Sequence, residues 1–219
     1  MDIELYYQEE GNGESFIFLH GNGENSSYFK KQIDYFQSKY RVIALDTRGH
    51  GKSPRGKAPF TIEQFACDLY DFMTGIQYLN FVADIFGVGA GERQERIRKY
   101  ADAFELTESL AQGISAYSHG MKQKLALISA LIHEPKLVIM DEPFVGLDPK
   151  AAHLLKGFMR DICDRGGAIF FSTHVLEVAE KLCDKVAIIK GGKLIRSGTM
   201  DEVRGDESLE SVFLELEEA

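Results

Sequence analysis

Cysteine, basic charge and long apolar runs are all scarce in this chain, and each scarcity removes a class of function. Three cysteines, Cys67, Cys163 and Cys183, stand among 219 residues without CxxC spacing. That argues against a disulfide framework and leaves reduced, mostly buried thiols as the expectation. Lysine and arginine number 25 against 34 acidic residues, a formal net charge of −9, so there is no electrostatic footprint for nucleic acid or anionic lipid. No apolar stretch approaches the roughly 18 residues of a membrane span. The opening MDIELYYQEEGNG lacks the basic and apolar regions of a secretory signal. The reading is a cytoplasmic chain that reaches a membrane only through a separate partner. Internal repeats and low-complexity segments are missing too, and the length suits one good core better than two full α/β domains.

The chemistry that is present concentrates between residues 117 and 174. Ser118 and Gly120 precede Leu125, Ile128 and Leu131 or Ile132 at helical spacing, which predicts a capped amphipathic helix. The first-turn amides at Ser118, His119 and Gly120, with the helix dipole behind them, favour an anion such as a phosphate. The apolar run 137–140 then stops at Asp141 and Glu142, followed by Pro143. This reads as a buried strand delivering two acids at its carboxyl end. A second apolar run, 168–171, leads through Ser172 and Thr173 to His174. In open parallel sheets ligands sit outside the carboxyl ends of strands, so acids and histidine are expected to converge.

Taken in order, YSHGMKQK, LVIMDEP, GLDP and STH resemble the signature motif, Walker B segment, D-loop and switch histidine of an ABC-type ATPase. The resemblance covers about residues 74–219, with 74–104 similar to that family's helical subdomain. It implies ATP and Mg²⁺ as cofactors and a membrane permease plus a second nucleotide-binding subunit as partners. It further implies a metal-holding role for Asp141, water polarisation by Glu142 and γ-phosphate sensing by His174. Ser118, His119, Gly120 and Met121 fall on the signature motif, which in the family acts on the partner protomer's ATP, and Asp148 on the dimer-shaping D-loop. The usual LSGGQ is altered at its first, third and fifth places, by Tyr117, His119 and Met121.

Residues 1–73 read differently. FLHGNGENS followed by VIALDTRGHGKS resembles the first third of an α/β-hydrolase, with a strand at 2–8, strands at 15–19 and 41–45, a helix carrying Phe29, Ile33 and Phe36, and another at 61–73. The expected fold class is therefore α/β in two incomplete units, a hydrolase-like piece over 1–73 and a P-loop-NTPase-like piece over 74–219, fused near Met73 to Gly75.

Two strings imitate working motifs. GHGKS ends like GxxxxGK[ST], but the residue five before Gly51 is Asp46 rather than glycine, and Pro54 and Pro59 interrupt the helix that should start at Lys52. AYSHG imitates a nucleophile elbow, with Ser118, Asp148 and His174 in hydrolase order, yet the preceding ESLAQGIS is too polar for the required buried strand. With no Walker A loop and no Q-loop, the expectation is an ABC-type ATPase subunit that neither binds nor hydrolyses ATP alone. A serine hydrolase and a non-catalytic interaction protein stand as the alternatives.

Overall fold

The computed structural model describes residues 2–13 and 15–218. The chain forms two compact units, residues 1–133 and 134–219.

In the first unit a three-stranded sheet runs β1 (Tyr7–Glu10), β3 (Arg41–Leu45), β2 (Ser15–Leu19) in spatial order. Strand β3 lies antiparallel to β1 and parallel to β2. Val42 to Leu45 are at most 2% exposed, the continuous burial of a strand covered on both faces. Helix α1 (Lys30–Phe36) sets Ile33 against Val42 and Ala44, with Phe18, Phe29, Phe36 and Tyr40 closing the cluster. Strand β1 begins at Tyr7, later than the expected residue 2. The Asp2 carboxylate is instead tied to Arg48 and to the amides of Lys57 and Ala58, which holds the lead-in against a turn rather than in the ladder.

Helices α2 (Ile62–Phe72), α3 (Gly75–Ile85), α4 (Ala90–Ala103) and α5 (His119–Leu131) complete this unit. Thr61 caps α2 through the Gln64 amide, and Thr74 caps α3 in a reciprocal box with Gln77, the sequence-readable start signal of a helix. Leu79 and Ala83 of α3, Ile97 and Ala101 of α4, and Leu125 and Ile128 of α5 are all buried.

Residues 73–77, where a change of origin was expected, carry no seam. Met73 O accepts the Ile114 amide at 2.9 Å, Gly75 and Ile76 donate to Gln112 O and Leu110 O, and Gln77 Nε2 donates to Ser15 Oγ at 3.0 Å. Lys122 reaches Asp71 at 2.9 Å. The segment is knitted to both its amino-terminal and carboxy-terminal surroundings, so the reading of two incomplete units of different kinds gives way to a continuous α/β architecture.

In the second unit β4 (Leu137–Met140) pairs in parallel with β5 (Ala168–Phe171), from Leu137 opposite Ala168 to Met140 opposite Phe171. The crossover is α6 (Pro149–Asp164), which buries Ala151, Leu155, Met159 and Ile162 at helical spacing. Val138 is buried, but Leu137 and Ile139 are 57% and 70% exposed, so the strand expected to be buried covers only one of its faces. Helix α7 (Leu176–Leu182) leads to the antiparallel hairpin β6 (Lys185–Lys190) and β7 (Lys193–Thr199). Gly191 and Gly192 turn it with φ of 57° and 75°, the left-handed pair that a two-residue hairpin loop demands. Helices α8 (Met200–Arg204) and α9 (Leu209–Glu218) follow. Leu209, Val212, Phe213 and Leu216 pack with Ala179, Ile188 and Val203.

The cysteines are free, but Cys67 and Cys163 are exposed and only Cys183 is half-buried, contrary to the expected burial. Among the described residues no helix is long and apolar enough to cross a membrane.

Candidate functional site

The carboxyl ends of β4 and β5 bring together the residues that the second unit was expected to join. His174 Nδ1 lies 2.8 Å from Glu142 Oε1. A carboxylate only accepts, so the ring donates from Nδ1, leaving Nε2 on a side chain that is 72% exposed as the atom open to a ligand. Ser172 Oγ donates to the Asp141 carboxylate and accepts the Glu142 amide at 3.1 Å, so one hydroxyl ties the Asp141 carboxylate to the Glu142 backbone. Glu142 has φ of +45°, a left-handed conformation that non-glycine residues adopt at a cost of order 1 kcal/mol. That sharp turn after β4 returns the Glu142 side chain toward His174. The role of Ser172 as a bridge was not read from the sequence, where it was only the first letter of STH.

Asp148 closes the loop that follows the acids. Its carboxylate accepts the Ala151 amide at 2.8 Å as the N-cap of α6, with Pro149 at the first helical position.

In the first unit Ser118 caps α5, its Oγ accepting the Met121 amide at 3.2 Å. Ser118 and His119 are exposed and Gly120 and Met121 half-buried, so the helix start that could meet an anion opens to solvent. Tyr117, in the first signature place, is buried and donates to Ser109 O at 2.6 Å. A Cβ on Gly75 would stand 2.2 Å from the Tyr117 hydroxyl, so that glycine makes room for the tyrosine. The elbow reading of Ser118 fails on local geometry. Residues 114–116 form a short 3₁₀ turn rather than a strand, and the hydroxyl is engaged as a helix cap.

The residues present fit only half of a Mg·ATP site. The exposed Asp141 carboxylate suits Mg²⁺, which takes one or two carboxylates together with phosphate oxygens. Among the described residues no group of three or more His, Cys, Asp or Glu side chains is placed to hold a metal by itself. The phosphate half does not fit. After β2 the chain makes a strand–loop–helix passage reading HGNGENSS, without lysine. Glu24 takes the Gly21 amide at 3.2 Å, Asn25 the Ser27 amide at 3.0 Å and Asp46 the Ser26 amide at 2.6 Å. In GHGKS the Lys52 amide goes to Asp46 at 2.8 Å, and the Lys52 ammonium sits 4.5 Å over the Tyr6 ring with its hydroxyl at 3.2 Å. No helix begins there, since α2 starts only at Ile62. These donors already have acceptors, two of them carboxylates that would repel a polyphosphate.

Residues 9–180 match the family model described as an AAA domain, putative AbiEii toxin, type IV TA system. The ABC-type transporter ATP-binding protein EcsA of Bacillus subtilis is 32% identical over 91% of this chain and 83% of that protein. An uncharacterized ABC transporter ATP-binding protein of Synechocystis, sll0415, is 37% identical over 66% of this chain and 42% of its own length. The chain spans half or less of the length of several such relatives. A solved ATP-binding subunit of an ABC transporter, 25% identical, superposes with a TM-score of 0.64 over 99% of this chain and all of that one. The family model over residues 9–180 and the matches to EcsA and to the solved subunit, over 91% and 99% of this chain, extend across residue 73, which overturns the expected hydrolase-like fragment and the fusion. The fold is that of a P-loop-NTPase-like α/β protein, and the chain belongs to the AAA-domain family and to the ATP-binding proteins of ABC transporters.

Proposed function

We propose that the chain works as an ABC-type subunit of a membrane transporter, contributing acid, histidine and signature groups to nucleotide handling without itself holding ATP. In this reading Asp141 offers an oxygen to Mg²⁺. Glu142, oriented by His174, is the acid that faces the reacting end of a nucleotide, and His174 Nε2 meets the terminal phosphate. Ser118 to Met121 and Asp148 address the nucleotide of a second, complete subunit, and a permease carries the pair at the membrane surface. The carrying observation is the 2.8 Å contact between Glu142 and His174 at the ends of paired parallel strands, with Ser172 joining the Asp141 carboxylate to the Glu142 backbone amide. The filled amides around Asp46 support the view that the phosphates come from elsewhere.

The test is equilibrium titration of the purified chain with a fluorescent Mg·ATP analogue, alone and with a second ABC-type subunit that has a complete phosphate loop. Alone, no saturation is expected. With the second subunit, ATP-dependent association is expected, weakened by Ser118→Arg, which sets a bulky side chain at the helix start. Sustained ATP hydrolysis by the chain alone, or no ATP-dependent association with intact subunits, would count against the reading.

A further inference from the structure

We infer that Asp46 is an internal anion that fills amide donors of both glycine loops in the first unit and so closes those two loops to the phosphates of a nucleotide. Three observations converge. Asp46 is 1% exposed, and its two carboxylate oxygens are divided between the loops: Oδ1 takes the Ser26 amide at 2.6 Å and Oδ2 the Lys52 amide at 2.8 Å. Charged acceptors make short, strong bonds with amides, and a carboxylate is what an anion-seeking backbone takes when the chain supplies one. The approach is also close-fitting, because a Cβ on Gly51 would stand 2.1 Å from Oδ2 at a φ of +51°. The loop passes there only as glycine.

The backbone of Asp46 is fixed as firmly as its side chain. Its amide donates to Tyr6 O at 2.9 Å, and its carbonyl accepts from Ser53 Oγ at 2.6 Å, while Ser53 Oγ accepts the Tyr6 amide at 2.8 Å. Burial pushes the carboxyl up, but the Lys52 and Ser26 amides, with His20 nearby, outweigh it and hold the group below the usual carboxylate range. The carboxylate thus stays charged at neutral pH, where a phosphate would have to displace it. Lys52 is drawn out of phosphate chemistry by the same arrangement, since its amide serves Asp46 and its ammonium covers Tyr6. This inference does not depend on the transporter reading.

Amide resonances of the ¹⁵N-labelled full chain test it. Titration with tripolyphosphate and with Mg·ATP should leave Ser26 and Lys52 unmoved, and Lys52→Ala should leave any Mg·ATP response unchanged. Asp46→Asn keeps the shape but removes the charge and one acceptor, and should speed hydrogen exchange at Ser26 and Lys52 together by about tenfold or more. Saturable movement of these two amides in the natural protein would overturn the inference, as would unchanged exchange in a folded Asp46→Asn. If that variant does not fold, the titration of the natural protein decides alone. Mg·ATP binding that bypasses both amides would instead defeat the proposed function and leave the role of Asp46 standing.

Discussion

Removing the Asp68 carboxylate should cost the first unit about 3 kcal/mol. The Arg48 side chain is fully buried and donates to Asp68 twice, from Nε at 2.7 Å and from an Nη at 2.8 Å. It also donates to Asp2 at 2.5 Å and to Arg55 O at 3.1 Å. Asp68 and then Asp2 raise the guanidinium pKa further above its ordinary value, so deprotonation offers no escape. Stranding a buried charge costs roughly 3–5 kcal/mol. The low end applies to Asp68→Ala because Asp2, on a side chain 36% exposed, still neutralises part of Arg48. At about 2.1 cal/mol/K per residue for a unit of 133 residues, 3 kcal/mol corresponds to a fall in Tm of roughly 10 °C. Urea unfolding followed by tyrosine fluorescence would measure it. The companion Arg48→Met, Asp68→Leu double variant should recover most of the loss, since apolar groups of similar volume can replace a buried pair. A loss below about 1 kcal/mol for Asp68→Ala, or a double variant no better than the single, would refute the argument that an unpaired buried charge sets the cost.

Two further outcomes follow from the same reasoning. Asp148→Ala should destabilise the second unit by about 1 kcal/mol through loss of the α6 cap, and Asp148→Ser should restore most of it; equal urea midpoints for the natural chain and the alanine variant would contradict the cap. His133 stacks on Phe86 with ring centroids 3.8 Å apart, and burial, with Arg96 adding a smaller push, lowers its pKa from 6.5. A depressed folded pKa means that the unfolded chain binds the proton more readily, so this contribution is complete above the ordinary histidine value and is lost as pH falls through the folded one. Urea midpoints should therefore drop between pH about 7.5 and about 5.5, and His133→Gln should flatten part of that slope.

What the sequence revealed and what it hid divide along the range of the interactions involved. One local signal was legible: Ser118 caps its helix as expected, while the caps at Thr61, Thr74 and Asp148 obey the same chemistry but were not read in advance. The meeting of Glu142 with His174 followed from two apolar runs ending in polar residues, because parallel strands place such ends side by side. Non-local pairings were not legible. Nothing in the spacing tied Asp2 to Arg48 or Asp46 to Ser26, partners 46 and 20 residues apart. Exposure misled as well. Leu137, Ile139 and Phe170 look like core residues, yet all are largely exposed, since a two-stranded sheet backed by one helix buries one face. The hydrolase resemblance erred for a related reason. A short glycine-rich string fixes a turn but not the family of the chain around it, and the matches over the whole length decide otherwise.

Asp46 also explains why the two glycine loops cannot be judged from their glycines. Gly49 and Gly51 take positive φ, and so does Gly23, which is the conformational freedom that phosphate-binding loops exploit. That freedom aims amides, but the acceptor that reaches them depends on what the rest of the chain delivers. Here the strand that precedes GHGKS ends in a carboxylate at the distance an anion would occupy, and the amides close on it. A side chain already attached to the protein pays no translational entropy to bind, whereas a nucleotide would have to meet that cost and also expel a charged group. The acids at the end of β4 differ in kind. Asp141 is exposed and Glu142 half-buried; Ser172 holds the Asp141 carboxylate and the Glu142 amide, and His174 meets the Glu142 carboxylate. Their position at open strand ends contrasts with the two loops around Asp46, whose amides hold their own fold together.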